Sequence, residues 1–327
     1  MKAAAITTFG GPEVLRLVDL PEPTPAPGEV AIDVAYAGVS YSETLFRRGF
    51  VPVQLPFVPG IEVAGRIRSV GPGVNGLRRG QPVAALTVVD GGGYAEIAVT
   101  VARLVAPIPD TLDLKTAAAV PSNTTTAWLV FGPVARMRPG ETVLVHGAAG
   151  GVGSQLGQVA KAAGAELVIG TVGSSDKIEF VRRLGYDAAI LRHEFEQRTR
   201  ELTQGRGVDI VVDPVGGEMR TRSIDVLAPL GRLVVIGNAS GADDVQQSLN
   251  ALWLGGPGAL GLNLRDLALR EPDIVHEALT ESLRLVLAGS VRVEVMRELP
   301  LEEAAEAHRL LESRNVLGKL VLRIQGS

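Results

Sequence analysis

The sequence predicts an α/β protein in two parts: a β-rich part and a doubly wound parallel sheet. Three observations predict it. Up to about residue 120, short stretches of alternating polarity lie between Pro- and Gly-rich breaks. From about residue 122, short apolar runs alternate with helical segments. At the first strand-to-helix junction of that alternation stands a glycine-rich turn, Gly147-Ala148-Ala149-Gly150-Gly151-Val152-Gly153.

In the first part, Val30, Ile32, Val34 and Tyr36 alternate with Ala31, Asp33 and Ala35, the period of a half-buried strand. Val63–Val70 carries Arg66 and Arg68 on one face, and Tyr94–Val99 alternates again after three glycines. The breaks between them, such as residues 21–28, Pro59-Gly60 and Gly71-Pro72-Gly73, come at short spacing. That spacing suits a small barrel or sandwich.

In the second part, strands are expected at Thr142–Gly147, Glu166–Gly170, Asp187–Leu191, Val208–Asp213 and Arg232–Gly237. Helices are expected between them at Ser154–Ala163, Ser175–Leu184, Glu194–Thr203 and Met219–Leu227. The β-α rhythm implies parallel strands covered on both faces. A long helix, Ile274–Ala288, a strand, Val291–Val295, a helix, Glu302–Leu311, and a strand, Leu317–Ile324, end the chain. Pattern alone leaves this last piece unassigned to either part.

Composition removes several function classes. Lys+Arg is 32 against Asp+Glu 36, a net charge of -4, which provides no field for nucleic acid or an anionic membrane. There is no cysteine, so disulfides, thiolate zinc, Fe–S clusters and a cysteine nucleophile are excluded. No apolar run reaches the ~18–20 residues of a membrane span, and the N-terminus lacks a signal-peptide core. Cytoplasm is the expected location.

The glycine turn carries the chemistry. Gly150 and Gly153 match the last two glycines of a dinucleotide fingerprint, with Ala148 in the place of the first. Gly150 lets a pyrophosphate approach, Gly153 lets helix and strand pack, and the helix N-terminus faces the anion. A ribose 2′-OH is usually read by an acid about 20 residues on. Here that place holds Gly173, followed by Ser174, Ser175, Asp176 and Lys177, and Arg192 ends the next strand. Donors and positive charge suit a 2′-phosphate, so NADPH is expected rather than NADH. Ser174 or Ser175 could also be a helix N-cap, and Lys177 a solvated helix residue.

Several ordered stretches then carry a resemblance. They are Gly38-Val39-Ser40-Tyr41-Ser42-Glu43, Pro59-Gly60-Ile61-Glu62-Val63-Ala64-Gly65, Gly92-Gly93-Tyr94-Ala95-Glu96, residues 139–147, Asp213-Pro214-Val215-Gly216-Gly217, Gly237-Asn238 and Gly318-Lys319-Leu320-Val321-Leu322. The chain resembles the zinc-free quinone oxidoreductase (zeta-crystallin-like) branch of the medium-chain dehydrogenase/reductases. The resemblance implies a GroES-like catalytic domain, 1–122 with 273–327, around a Rossmann domain, 123–272. It also implies a cofactor cleft between the domains and a homodimer. Zinc-dependent relatives place Cys and His where this chain has Ser40 and Ile61. Glu62 alone is not a zinc site, so no metal is expected. The branch commonly has Asn and Asp at Ser40 and Glu43.

By the same resemblance, Ala149, Gly150, Gly151, Val152 and Gly153 hold the pyrophosphate. Gly173, Ser174, Lys177 and Arg192 lie at the adenosine phosphate end. Asn238 contacts the nicotinamide ribose, and Leu262, Asn263 and Leu264 run beside the nicotinamide. Ser40, Tyr41 and Phe50 are substrate-side positions, with Tyr41 and Thr126 as proton donors. Core packing competes as a role for Tyr41 and Phe50, and helix capping for Thr126. His146 is read as structural and Asp213 as a turn residue. The expected function is NADPH-dependent hydride transfer to a quinone or conjugated carbonyl. An enoyl or alkenal reductase and a non-catalytic NADPH-binding protein are the alternatives. Finally, the apolar segment 252–262, placed after the sixth Rossmann strand, invites pairing with a second chain.

Overall fold

The computed structural model describes residues 1–246 and 248–324. The chain divides into two compact units. The first takes Met1–Thr125, Leu264–Ala288 and the stretch from Val293 onward; the second takes Thr126–Asn263 with Gly289–Arg292. Residues 264–272, read from the sequence with the parallel sheet, pack in the first unit. There Ala268 and Val275 join Phe46, Ile61, Leu86 and Val88 in one buried cluster. Residues 289–292 go with the second unit because the Gln158 side chain bonds both the N–H and the carbonyl of Arg292, each at 2.8 Å.

The first unit begins with a hairpin, β1 (Lys2–Ile6) and β2 (Leu15–Asp19). It continues with β3 (Glu29–Val39), β4 (Glu62–Val70), β5 (Pro82–Leu86), β6 (Ile97–Val101) and β7 (Val105–Pro107). The alternating set Val30, Ile32 and Val34 is fully buried. Ala31 is buried as well, because β3 is the central strand and pairs with β4 and β6. The strand expected from Tyr94 starts only at Ile97. Tyr94 instead spends its N–H on the Pro59 carbonyl and points its ring inward, fully buried.

In the second unit β8 (Thr142–Val145), β9 (Leu167–Val172), β10 (Ala188–Leu191), β11 (Val208–Asp213), β12 (Leu227–Val235) and β13 (Gly258–Gly261) form one parallel sheet. The order is β10-β9-β8-β11-β12-β13. This is the doubly wound arrangement expected, with helices such as Gly153–Ala162 and Phe195–Leu202 in the crossovers. Leu144, Ile169, Phe195, Val208 and Val211 make its core. The segment placed after the sixth strand contains that strand: β13 sits at the sheet edge, preceded by the helix Leu249–Gly255.

Two further strands, β14 (Val295–Pro300) and β15 (Lys319–Arg323), complete a seven-stranded mixed sheet in the first unit. Its order is β14-β15-β3-β4-β5-β7, with β6 also on β3. The expected strand Val291–Val295 is displaced toward the C-terminus: the ladder opens at Val295 opposite Lys319, and residue 292 is engaged by Gln158 instead. No helix among the described residues is long and apolar enough to cross a membrane.

Candidate functional site

The glycine turn follows β8 directly and leads into the helix Gly153–Ala162. A Cβ on Gly153 would lie 2.2 Å from the Gly147 carbonyl oxygen and 2.8 Å from the Ala148 Cα, so glycine is required there by the protein's own backbone. Gly150 is different. Its added Cβ would meet only the Gly147 oxygen, at 3.4 Å, an ordinary contact. What glycine leaves open at Gly150 is space outside the chain. Gly150, Gly151 and Val152 are partly exposed, whereas Ala149 is buried. Ala148, in place of the first fingerprint glycine, is fully buried and its methyl fills the space above Gly170, where a Cβ would lie 2.7 Å away.

At the end of β9, Gly173 lies beside the guanidinium of Arg192; a Cβ on Gly173 would be 3.6 Å from Arg192 Nη2. The structure thus brings together two residues 19 positions apart, and a larger side chain at Gly173 would crowd that guanidinium. Ser174 begins a short helical turn, Ser175–Lys177. Its hydroxyl donates to Asp176, holding that exposed carboxyl below its usual range. Asn238 is occupied within its own loop, donating to the Ala242 carbonyl at 2.9 Å and accepting from Ser240 Oγ at 3.1 Å. Leu262 follows β13 and bonds the Val235 carbonyl, ahead of Asn263; Leu264 opens the next helix in the first unit. Thr126 lies inside the helix Asn123–Leu129, so it is not an N-cap.

In the first unit, Ser40 caps the helix Tyr41–Arg47 in a capping box: its side chain accepts from the Glu43 N–H, and Glu43 Oε2 accepts from the Ser40 N–H at 2.9 Å. Tyr41 is partly exposed at the first helical position, and Phe50 is 59% exposed beyond the helix. Glu43 is fully buried. Its Oε1 accepts the Ile61 N–H at 2.9 Å and its Oε2 the Tyr94 hydroxyl. Beside it, Lys319 sends its ammonium to Glu62 Oε1, to Ser40 Oγ at 3.2 Å and to the Val39 carbonyl at 3.1 Å. Glu62 Oε2 takes the Ser122 N–H at 2.8 Å.

A cavity of about 400 Å³ opens next to Ile61, walled by Phe46, Val53, Phe57 and Val88 with Arg265 at its side. The sequence reading did not find Tyr94, His308, Lys319 or Arg265. Their partners are 51 to 280 positions distant, which no local spacing reveals.

Zinc does not fit this donor set. Ser40 and Glu62 already bind an ammonium, Ile61 has no donor side chain, and there is no cysteine. Among the described residues no group of three or more His, Cys, Asp or Glu could hold a metal ion.

Two histidines are buried and neutral. His146 sits between Thr171 Oγ1 (3.1 Å) and Ser223 Oγ (2.9 Å), edge-on to Phe195. Burial, with the Arg192 and Arg222 charges, lowers it to about 3. Burial and then Arg47 lower His308 to about 3. Burial raises Glu43 to about 7 against the pull of its hydrogen bonds and of Lys319. Asp213 accepts from the N–H groups of Val215 (2.7 Å) and Gly216 (3.0 Å), holding the turn after β11.

These shifts have a stability consequence. A depressed histidine contributes fully above its unfolded value near 6.5 and loses about 1.4 kcal/mol per pH unit below it. A raised carboxyl has the opposite slope between its unfolded value, near 4.5, and about 7. In the first unit His308 and Glu43 therefore nearly cancel between pH 6.5 and 4.5. In the second unit His146 stands uncompensated by a raised carboxyl, so acidification over those two units costs about 3 kcal/mol. Both tryptophans, Trp128 and Trp253, lie in the second unit, so urea unfolding followed by tryptophan fluorescence reads it selectively. A second-unit stability that is flat over this range would reject the account.

Comparison with known proteins places this geometry in context. Residues 26–110 match the alcohol dehydrogenase GroES-like domain and residues 151–282 the zinc-binding dehydrogenase domain. A quinone oxidoreductase of Pseudomonas aeruginosa is 35% identical over 326 residues, covering 98% of this chain and 99% of the relative. The crystal structure of Escherichia coli quinone oxidoreductase complexed with NADPH superposes with a TM-score of 0.91 at 31% identity, covering 99% of this chain and 100% of that one. A mycobacterial protein complexed with NADPH gives 0.92 at 34% identity, covering 99% and 100%.

Proposed function

Because the chain belongs to the quinone oxidoreductase branch of the medium-chain dehydrogenase/reductase superfamily, we propose that it uses NADPH to reduce a quinone or related conjugated carbonyl without zinc. The observation that carries the reading is the glycine turn, open at Gly150 for a phosphate and closed at Gly153 for its own backbone. Ala149, Gly150, Gly151, Val152 and the start of the helix at Gly153 hold the pyrophosphate. Gly173, Ser174, Lys177 and Arg192 serve the adenosine end, and Asn238 with 262–264 the nicotinamide end. When bound, NADPH supplies the hydride. Ser40, Tyr41 and Phe50 position the acceptor, and Tyr41 or Thr126 holds the proton. The cavity beside Ile61, with Phe46, Phe57 and Val88 on its walls and Gln54, Asp90 and Arg265 at its edge, supports a small acceptor that has a flat apolar body and polar carbonyl oxygens.

The test is an acceptor panel of benzoquinone, naphthoquinone and 2-alkenals, read as NADPH consumption. Turnover of alkenals with inert quinones would favour a C=C reductase. Tight NADPH binding without any turnover would favour a non-catalytic protein.

Cofactor choice is a separate expectation. A charge-assisted contact to the 2′-phosphate contributes roughly 1.5–3 kcal/mol, about 10- to 150-fold. Lys177→Ala or Arg192→Ala should weaken NADPH by that order and leave NADH nearly unchanged in fluorescence titrations. Equal losses for both cofactors would remove these residues from the phosphate.

We also propose a homodimer built on the β13 edge. Leu249, Trp253 and Leu254, on the helix before it, are 80%, 79% and 78% exposed. An edge strand flanked by such side chains is a pairing surface. Light scattering at micromolar concentration should give twice the 34.3 kDa chain mass, and a monomer would reject the proposal.

A further inference from the structure

Glu43 sits at the end of a buried chain of hydrogen bonds. Arg47 is 1% exposed and is held by the Gly10 carbonyl (3.2 Å) and the Glu312 carboxylate (2.5 Å). Its Nη1 lies 3.5 Å from His308 Nδ1. A guanidinium can only donate, so Nδ1 accepts and the imidazole proton is on Nε2. That nitrogen is 3.3 Å from the Tyr94 hydroxyl oxygen, into which it donates. Tyr94 in turn donates to Glu43. Every link therefore points the same way, from the Arg47 cation toward the Glu43 carboxylate.

The carboxylate also receives the N–H groups of Ser40 and Ile61. These belong to different segments: one leads into the helix bearing Tyr41, and the other walls the cavity. We propose that Glu43, kept ionised by the Arg47–His308–Tyr94 chain, is a positioning residue for acceptor reduction, tying the backbones at Ser40 and Ile61 into one rigid wall. The inference rests on the preceding reading of Ser40 and Ile61 as acceptor-side positions.

The reason it matters is that the three groups bonded to Glu43 are all donors. Were the carboxyl protonated, the Ser40 and Ile61 N–H groups could not accept its O–H; of the three only the Tyr94 hydroxyl can, so that link would have to reverse, and the two N–H bonds would lose the charge that strengthens them. The charged and titratable groups around Glu43 are Tyr94 before β6, Lys319 on β15, His308 on the helix Ala304–Glu312, Glu62 at the start of β4 and Arg47 on its own helix. Burial dominates and pushes the carboxyl up to about 7; Tyr94, the two N–H groups and Lys319 pull it down. A group so poised loses its charge on modest acidification.

The experiment is the pH profile of kcat/KM for naphthoquinone reduction at saturating NADPH. The wild type should show an acid limb near neutrality, with the rate falling as pH falls. His308→Leu cuts the chain and should move that limb upward by about one pH unit. His308→Gln, which can accept from Arg47 and donate to Tyr94, should restore it. Tyr94→Phe should shift the limb in the same direction as the leucine variant and stands in if that variant does not fold. Glu43→Gln should be slower and lack the limb.

Infrared pH-difference spectra, with Glu43→Gln assigning the carboxyl band, follow the titration without turnover. If the wild type reduces no quinone at any pH, the functional reading fails, and the infrared titration still tests the chain. A wild type with no limb between pH 6 and 8, or variants that slow equally at every pH, would overturn the proposal.

Discussion

Gly150→Val is expected to fold normally and to lose NADPH binding by about 10²- to 10⁴-fold. The added Cβ makes only an ordinary contact within the protein, at 3.4 Å from the Gly147 carbonyl oxygen. Gly150 is also absent from the glycines with left-handed backbone, so a β-branched residue is conformationally admissible there. The isopropyl group would instead stand where a pyrophosphate must approach the helix N-terminus. Displacing it forfeits at least one or two charge-assisted bonds, each worth roughly 1.5–3 kcal/mol. Gly153→Ala is the control with the opposite signature. Its Cβ collides with backbone at 2.2 Å and 2.8 Å, so the second unit should lose roughly 1–3 kcal/mol or more. Fluorescence titration with NADPH and tryptophan-monitored urea unfolding separate the two. Wild-type affinity in Gly150→Val, or its failure to fold, would contradict the assignment of the turn.

The contrast between those two glycines also shows what was legible in the sequence. The pattern places both in a phosphate turn, because strand, glycines and helix are adjacent in the chain. The fingerprint spacing assigns Gly150 to the phosphate and Gly153 to helix–strand packing; what it cannot give is the contact that makes glycine obligatory at Gly153, since that depends on where the Gly147 carbonyl lies in space. The parallel sheet was readable for the same local reason: Val208–Asp213 is a strand with the bounds expected, having an apolar centre, Ile210-Val211-Val212, and being bracketed by glycine and proline. The edge strand β13 was not, because Gly258–Gly261 has two glycines in four residues and no strand periodicity. The polar interior of the first unit was least legible. Lys319 reads as one cation in a strand, and its meeting with Ser40 and Glu62 is created by β15 pairing with β3. The same pairing turns a motif that lacks metal ligands into a site already holding a positive charge.

That built-in ammonium bears on the chemistry expected last: brisk reduction of benzoquinone and naphthoquinone, with primary and secondary alcohols at least about 10²-fold poorer, unaffected by a chelator. Oxidising an alcohol requires its hydroxyl proton to leave as hydride departs, which needs a Lewis acid or a positioned base, typically worth ~10²–10⁴-fold. Glu43 cannot be that base, because its carboxylate is saturated by Ser40, Ile61 and Tyr94. Glu62 is held by Lys319 and Ser122, and His146 is locked between two hydroxyls. Reduction of a quinone runs without such a base: the acceptor is electrophilic at the outset, and the aromatic product takes its proton from water or a hydroxyl. Tyr41→Phe and Thr126→Ala should therefore slow the reaction only modestly, by no more than about 10²-fold each. Steady-state rates on both substrate classes, with and without chelator and alongside metal analysis of the purified protein, decide the matter. Efficient alcohol oxidation, or about one zinc per chain with activity lost on chelation, would show that the site commands a proton acceptor or Lewis acid that these residues do not provide.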